Sequence, residues 1–171
     1  PQNLGTTTLY INGSEGDVRP NNGNGVERME FLGKLFSKQM LAAFDTRRKI
    51  NPEWSVNSSW VNLGGPGLNL KNCIDEPIKK YIWDKLKVGV GIWLPRKTQL
   101  WSIRFDDMLM MTWPGEATSS LGLQLRAMGE QKGFAQTWVG GLANDHLAYF
   151  TSPLEFHQKG YEACNSMYGE Q

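Results

Sequence analysis

Between residues 26 and 44, Val26, Met29, Leu32, Phe36, Met40 and Phe44 recur at spacings of three and four along VERMEFLGKLFSKQMLAAF. That period predicts an amphipathic helix whose apolar stripe packs into a core. The pattern then changes. WSVNSSWVNL alternates as a strand does, and GGPGLNLKNCIDEP reads as a loop punctuated by glycine and proline. KVGVGIWLP and TQLWSIRFDDMLMMTW follow as two strands rich in β-branched and aromatic residues, with the turn at Pro95 and Arg96. Helical spacing returns at Leu121, Leu125 and Met128, AQTWVGGLAN reads as a buried strand running into a loop, and Ser152 with Glu155 forms a capping box for a short helix from Pro153. A strand-like TTTLYI stands ahead of all these, leading into the loop INGSEGDVRPNN. Strands and helices alternate irregularly, which predicts a mixed α/β (α+β) fold, a mixed sheet with helices packed on it. No repeat or linker divides the 171 residues, so a single core is expected.

Composition narrows the function classes. At 40% hydrophobic and without a low-complexity run the chain is globular, and a net charge of +1 gives no electrostatic basis for nucleic acid as a partner. The one basic run, Arg47, Arg48 and Lys49, follows the first helix, where cations compensate the dipole. No stretch approaches the ~20 apolar residues of a transmembrane segment, and PQNLGTTT lacks the regions of a signal peptide. VGVGIW has no lysine and hydroxyl of a phosphate cradle, so its glycines are read as sites of close backbone approach. Cys73 and Cys164 lie far apart without metal spacing: they either pair in an oxidising compartment or serve as isolated small buried residues, the commoner use. His146 and His157 belong to no HExxH, so no self-contained zinc site is visible.

Two segments carry candidate chemistry. Gly16, Pro20 and Asn21 make INGSEGDVRPNN a turn by composition. In WPGEATSS, Glu116 sits where a strand ends and a helix begins, which is either a place to build a site or ordinary first-turn charge compensation.

Taken in order, three segments resemble the neutral (alkaline, non-lysosomal) ceramidases, which hydrolyse the amide of N-acylsphingosine. NGSEGDVRPN resembles the family's GDVSPN, and WPGEATSSLGLQLR resembles its PGE, helix and Leu-Arg pattern. GLANDHLAYFTSPLEFHQKGYEACNSMYG resembles its Gly-Leu-x-Asn, Tyr, Thr, Pro-Glu-Glu-Tyr, Arg-Tyr-Glu and Tyr-Gly pattern, with Asn144, Tyr149, Tyr161, Glu162 and Tyr168 in register. The resemblance spans residues from about 10 to 169, while 50 to 98 match no pattern.

The resemblance implies a zinc amidohydrolase in which Glu116 and Tyr149 bind Zn²⁺, Tyr161 helps hold the amide carbonyl, and Asp17 with Arg19 lines the substrate loop. It further implies that residues 1–171 are the C-terminal portion of a larger catalytic domain, with histidine ligands supplied by a preceding segment or chain. The implied substrate is a lipid-like N-acyl amide, and the implied location is secreted, periplasmic or cell-surface. Arg19 departs from the pattern, standing where the family has an active-site serine. A guanidinium is no nucleophile and suits a carboxylate or phosphate. Two alternatives follow: a degenerate, non-catalytic member that binds a lipid or glycan, or an amidohydrolase whose anionic substrate is selected by Arg19. Ser14 offers a hydroxyl nearby but is read as a turn residue. His146, three residues before Tyr149, is read as structural and not as a ligand.

Overall fold

The computed structural model describes residues 7, 9–19, 25–46, 52–69, 72–73, 87–89 and 94–170. They fall into two compact units, one of Pro1–Val18 with Glu53–Gln171 and one of Arg19–Pro52.

The smaller unit contains helix α1, Val26–Asp45, where the three-and-four spacing predicts it. No residue of α1 is buried, however. Periodicity identifies a helix with one apolar face but not what covers that face, and the expectation of core packing is not met. The basic run at 47–49 lies outside the described residues.

The larger unit is a mixed sheet with helices on it, as expected. Strands β1 (Trp54–Asn62), β4 (Lys97–Phe105), β5 (Met108–Thr112) and β7 (Gln136–Gly140) lie in the order β1-β4-β5-β7. The first two pairings are antiparallel, while β5 and β7 run parallel. Helix α2 (Ser119–Gln131) makes the crossover between the pairs on either side of it and packs on β7. Two short pairs stand apart from this sheet, β2 (Gly67–Asn69) with β3 (Lys87–Gly89), and β6 (Glu116–Ala117) with β8 (Tyr149–Phe150). Helices α3 (Pro153–Gln158) and α4 (Tyr161–Cys164) follow β8.

Three local expectations change. TQLWSIRFDDMLMMTW is a hairpin and not one strand, because Asp106 takes φ 51° and lets Phe105 pair with Met108; aspartate tolerates this left-handed conformation better than most residues. Part of the glycine-rich loop, Gly67–Asn69, is a strand. The opening residues form no regular element over 9–13, where Asn12 accepts a 2.8 Å hydrogen bond from the Gly141 amide.

The core centres on Leu63, Leu147, Phe150 and Tyr168, with Trp113 and Leu121 packed against it. Trp113 meets Phe150 edge-on at 5.4 Å, and Tyr168 stacks on Phe150 at 6.1 Å while its hydroxyl donates to the Pro95 carbonyl. Around this core, backbone approaches backbone. The Gly16 amide donates to the Ala117 carbonyl at 2.8 Å, and a Cβ on Gly16 would stand 2.9 Å from the Glu116 carbonyl oxygen. At Gly115 a Cβ would strike the Ala148 carbonyl and the Phe150 ring.

Gly16→Ala and Gly115→Ala should each lower unfolding stability by about 1–3 kcal/mol, the usual cost of overpacking. Gly13→Ala meets nothing within 4 Å and should stay within about 0.5 kcal/mol. Denaturant unfolding of the three variants checks the contrast.

Candidate active site around Glu116 and Tyr149

The segment 113–118 is laced to 140–150 rung by rung. Leu142 donates to the Gly115 carbonyl, Leu147 to Pro114, Glu116 to Ala148, and Thr118 to Phe150, at 2.8 to 3.1 Å. The result is a parallel pair in which Glu116 is in direct register with Tyr149. Ala148, immediately before Tyr149, is held at φ 60°, a conformation that costs a non-glycine residue free energy. Glu116 therefore belongs to β6, three residues ahead of Ser119 where α2 starts, and the first turn of α2 contains no acidic residue. The dipole-compensation reading of Glu116 is set aside.

Beyond the pair, one carboxylate joins two helix starts. Glu155 Oε2 accepts from the Thr118 hydroxyl at 2.7 Å, the Ser152 amide at 2.9 Å and the Ser152 hydroxyl at 2.8 Å. Ser152 returns the bond to the Glu155 amide, completing the capping box read from the sequence. Thr118 is the N-cap of α2. Burial pushes the Glu155 carboxyl up, but the bonds from Thr118, Ser152 and Ser120 outweigh it, and the net shift is downward. β6 and β8 thus run side by side into two helices that share one anion.

Asp17 and Ser14 brace the same construction. Asp17 Oδ1 accepts from the Ser119 amide and Oδ2 from the Ser119 hydroxyl, both at 2.6 Å, so its carboxylate serves the N-terminus of α2. Both oxygens are engaged there. The Ser14 side chain fills the space a Cβ would need at Gly122. Arg19 is exposed and opens the smaller unit.

The side chains at the site form a connected acidic and phenolic group. The Tyr149 phenol lies near the Glu116 carboxylate and the Tyr161 phenol, and both act on it electrostatically. The two tyrosine rings meet edge-on at 5.5 Å with 76° between their planes. Burial first, then the Glu116 charge, pushes the Tyr149 phenol up to about 12. Tyr161 is 66% exposed, so the open side of the group is at its ring.

Glu15 is the member that sequence reasoning missed. Burial, followed by the charge on Glu116, raises its carboxyl, and a hydrogen bond with Asn12 partly offsets the rise. Loop composition gave no sign of which strand Glu15 would face. The Gly16 amide bond to Ala117 decides it, since that bond holds the loop against β6.

The other matched residues have structural partners. The Asn144 side-chain amide donates to the Gln99 carbonyl at 3.1 Å. His146 is exposed, and His157 pairs with Glu170 at 3.2 Å. Cys73 and Cys164 form a disulfide, the first of the two alternatives left open by the sequence. Spacing 91 apart in sequence concealed a Cα separation of 4.7 Å. Among the described residues no three His, Cys, Asp or Glu side chains are grouped as metal ligands, and no helix is long and apolar enough to cross a membrane.

Known structures share this fold. The crystal structure of neutral ceramidase from Pseudomonas aeruginosa matches with a TM-score of 0.64 at 14% identity, over 93% of this chain and 34% of that chain. A ceramidase complexed with C2 matches with a TM-score of 0.61 at 15% identity, over 82% of this chain and 31% of that one. The chain thus spans about a third of the length of either. No protein-family model matches the sequence, and no curated protein matches it in sequence. The fold is that of a portion of neutral ceramidase, and the resemblance read from three separated segments is borne out at that level.

Difference spectroscopy between the wild type and Tyr149→Phe isolates the Tyr149 phenolate. Its titration should centre near pH 12. Glu116→Gln removes a negative charge that favours the protonated phenol, so the midpoint should fall toward 10 without reaching it, because burial remains. Folding stability should decline from pH 10 to 12, where the unfolded phenol has lost its proton and the folded one retains it.

Proposed function

We propose that this chain is part of a zinc-dependent hydrolase of N-acyl amides, with a ceramide-like lipid as the substrate class. The observation that carries this reading is the direct register of Glu116 with Tyr149, in a fold shared with part of neutral ceramidase. An adjoining carboxylate and phenol, with no basic group among the causes of the phenol's shift, fit two oxygen positions of a divalent cation. Glu116 and Tyr149 would hold Zn²⁺, together with histidines from a preceding segment or chain. When bound, such an ion lowers the pKa of its water toward ~7 and polarises a carbonyl.

The remaining work falls to this chain's own side chains. Tyr161 presents a hydroxyl on the open side of the pair, positioned to donate to the amide oxygen as it gains negative charge. Glu116 stands in register with Tyr149 and its charge keeps the phenol protonated. Asp17 fixes the start of α2 behind β6 and takes a positioning role. Arg19 supplies a guanidinium where the resemblance leads one to expect a serine, and this favours an acyl amide bearing an anionic group. The disulfide supports a location in an oxidising setting, secreted, periplasmic or at the cell surface.

Arg19 also motivates the second reading, a non-catalytic binder of a lipid or glycan. Purified full-length protein distinguishes the two. Zinc analysis should show metal in the wild type and loss of it in Glu116→Ala and Tyr149→Phe, and Tyr161→Phe should keep the metal but lose roughly 100-fold in kcat on N-acyl amides. Unchanged zinc content in Glu116→Ala would sink the site assignment. Zinc binding without turnover of neutral or anionic acyl amides would favour the binder.

A further inference from the structure

Tyr161 is the most exposed member of the site, although Ala163 in the same turn is buried. It begins α4, a helix of four residues that could not persist alone. Lys159 and Gly160 precede it with φ of 67° and 112°, so two successive left-handed residues separate α4 from α3. The bonds within the turn are local: Cys164 and Asn165 amides donate to the Gly160 and Tyr161 carbonyls, and the Asn165 side chain donates to Tyr161 as well. They shape the turn without fixing where it sits.

Beside the buried Ala163 and the Tyr168 packing, two ties from another part of the chain hold it. The Gly67 amide at the start of β2 donates to the Met167 carbonyl at 2.7 Å, and Cys73, beside the buried Asn72, is bonded to Cys164. Gly67 and Cys73 thereby hold 164–167 at two points. Cys164 lies three residues after Tyr161, within a single turn, where residues i and i+3 share a face. Restraint applied at Cys164 reaches the Tyr161 ring through that one turn.

We propose that the Cys73–Cys164 disulfide is a positioning cross-link that holds the Tyr161 ring against Tyr149. Its catalytic consequence rests on the oxyanion role given to Tyr161 above, whereas the positioning itself does not. Opening the bond leaves the strands and α2 in place and loosens α4 at its Cys164 end.

The test uses the full-length protein labelled with ring-¹³C tyrosine, the Tyr149 signal being identified by its loss in Tyr149→Phe. Reduction of the wild type, with two thiols verified by titration, and the Cys73→Ser/Cys164→Ala variant should both move the Tyr149 signal toward its position in Tyr161→Ala. Amide exchange at Cys164 and Asn165 should accelerate at least tenfold while residues 119–131 are unchanged. A Tyr149 signal that stays in place with both thiols free overturns the proposal. So does acceleration of 119–131 to the same extent, which would make the bond a general staple. Should N-acyl amides be turned over, opening the bond should lower kcat with KM retained, and add nothing in a Tyr161→Phe background. A further loss in that background overturns the link through Tyr161. Absence of any turnover counts against the proposed function alone, because the ring signal and the exchange still decide the positioning.

Discussion

A single carboxylate oxygen sets the frame of the site. Glu155 Oε2 takes hydrogen bonds from Thr118 and Ser152, the residues that cap α2 and α3. Thr118 ends the segment that carries Glu116, and Ser152 ends the one that carries Tyr149. Helix N-termini leave amides that need acceptors and carry partial positive charge. A carboxylate that takes the Thr118 hydroxyl at one helix start and the Ser152 amide and hydroxyl at the other ties the two starts together. The lowering of the Glu155 carboxyl despite burial is the electrostatic trace of that arrangement. Two side chains that must meet are thus fixed by a third that touches neither.

Glycine supplies the complementary constraint. The turn containing Glu15 and Asp17 lies on β6 because nothing projects from Gly16, and β6 lies on 148–150 because nothing projects from Gly115. Gly122 of α2 makes room for Ser14 in the same way. Three positions without a side chain bring a loop, a two-residue strand and a helix within hydrogen-bonding distance of one another. Conformational freedom is not what these glycines contribute, since none of the three has positive φ. Their contribution is absent volume.

The legible parts of this fold were those written in local chemistry. The α1 period, the β1 alternation and the Ser152–Glu155 capping box each depend on residues within a few positions of one another, and each is present. The Asp106–Asp107 turn was missed because apolar residues continue on both sides of it, and only the left-handed Asp106 breaks the run. Long-range facts were hidden for a different reason. The Cys73–Cys164 bond, the Glu155–Thr118 bond and the approach of Glu15 to Glu116 join residues 91, 37 and 101 positions apart, and no spacing rule reaches so far. The ordered match of three short segments did reach across such distances, and it placed Glu116, Tyr149 and Tyr161 together as the structure does.

Asp17 shows how a matched motif can hold both structural and chemical residues. Its neighbours in the turn, Glu15 and Arg19, face different surroundings: one lies beside Glu116, and the other is exposed at the start of the smaller unit. Asp17 between them is committed to Ser119 and so anchors the turn to α2. A turn anchored at its centre can change its outward residue without disturbing β6. Arg19, outside that anchor, can differ from the serine the resemblance leads one to expect without disturbing β6.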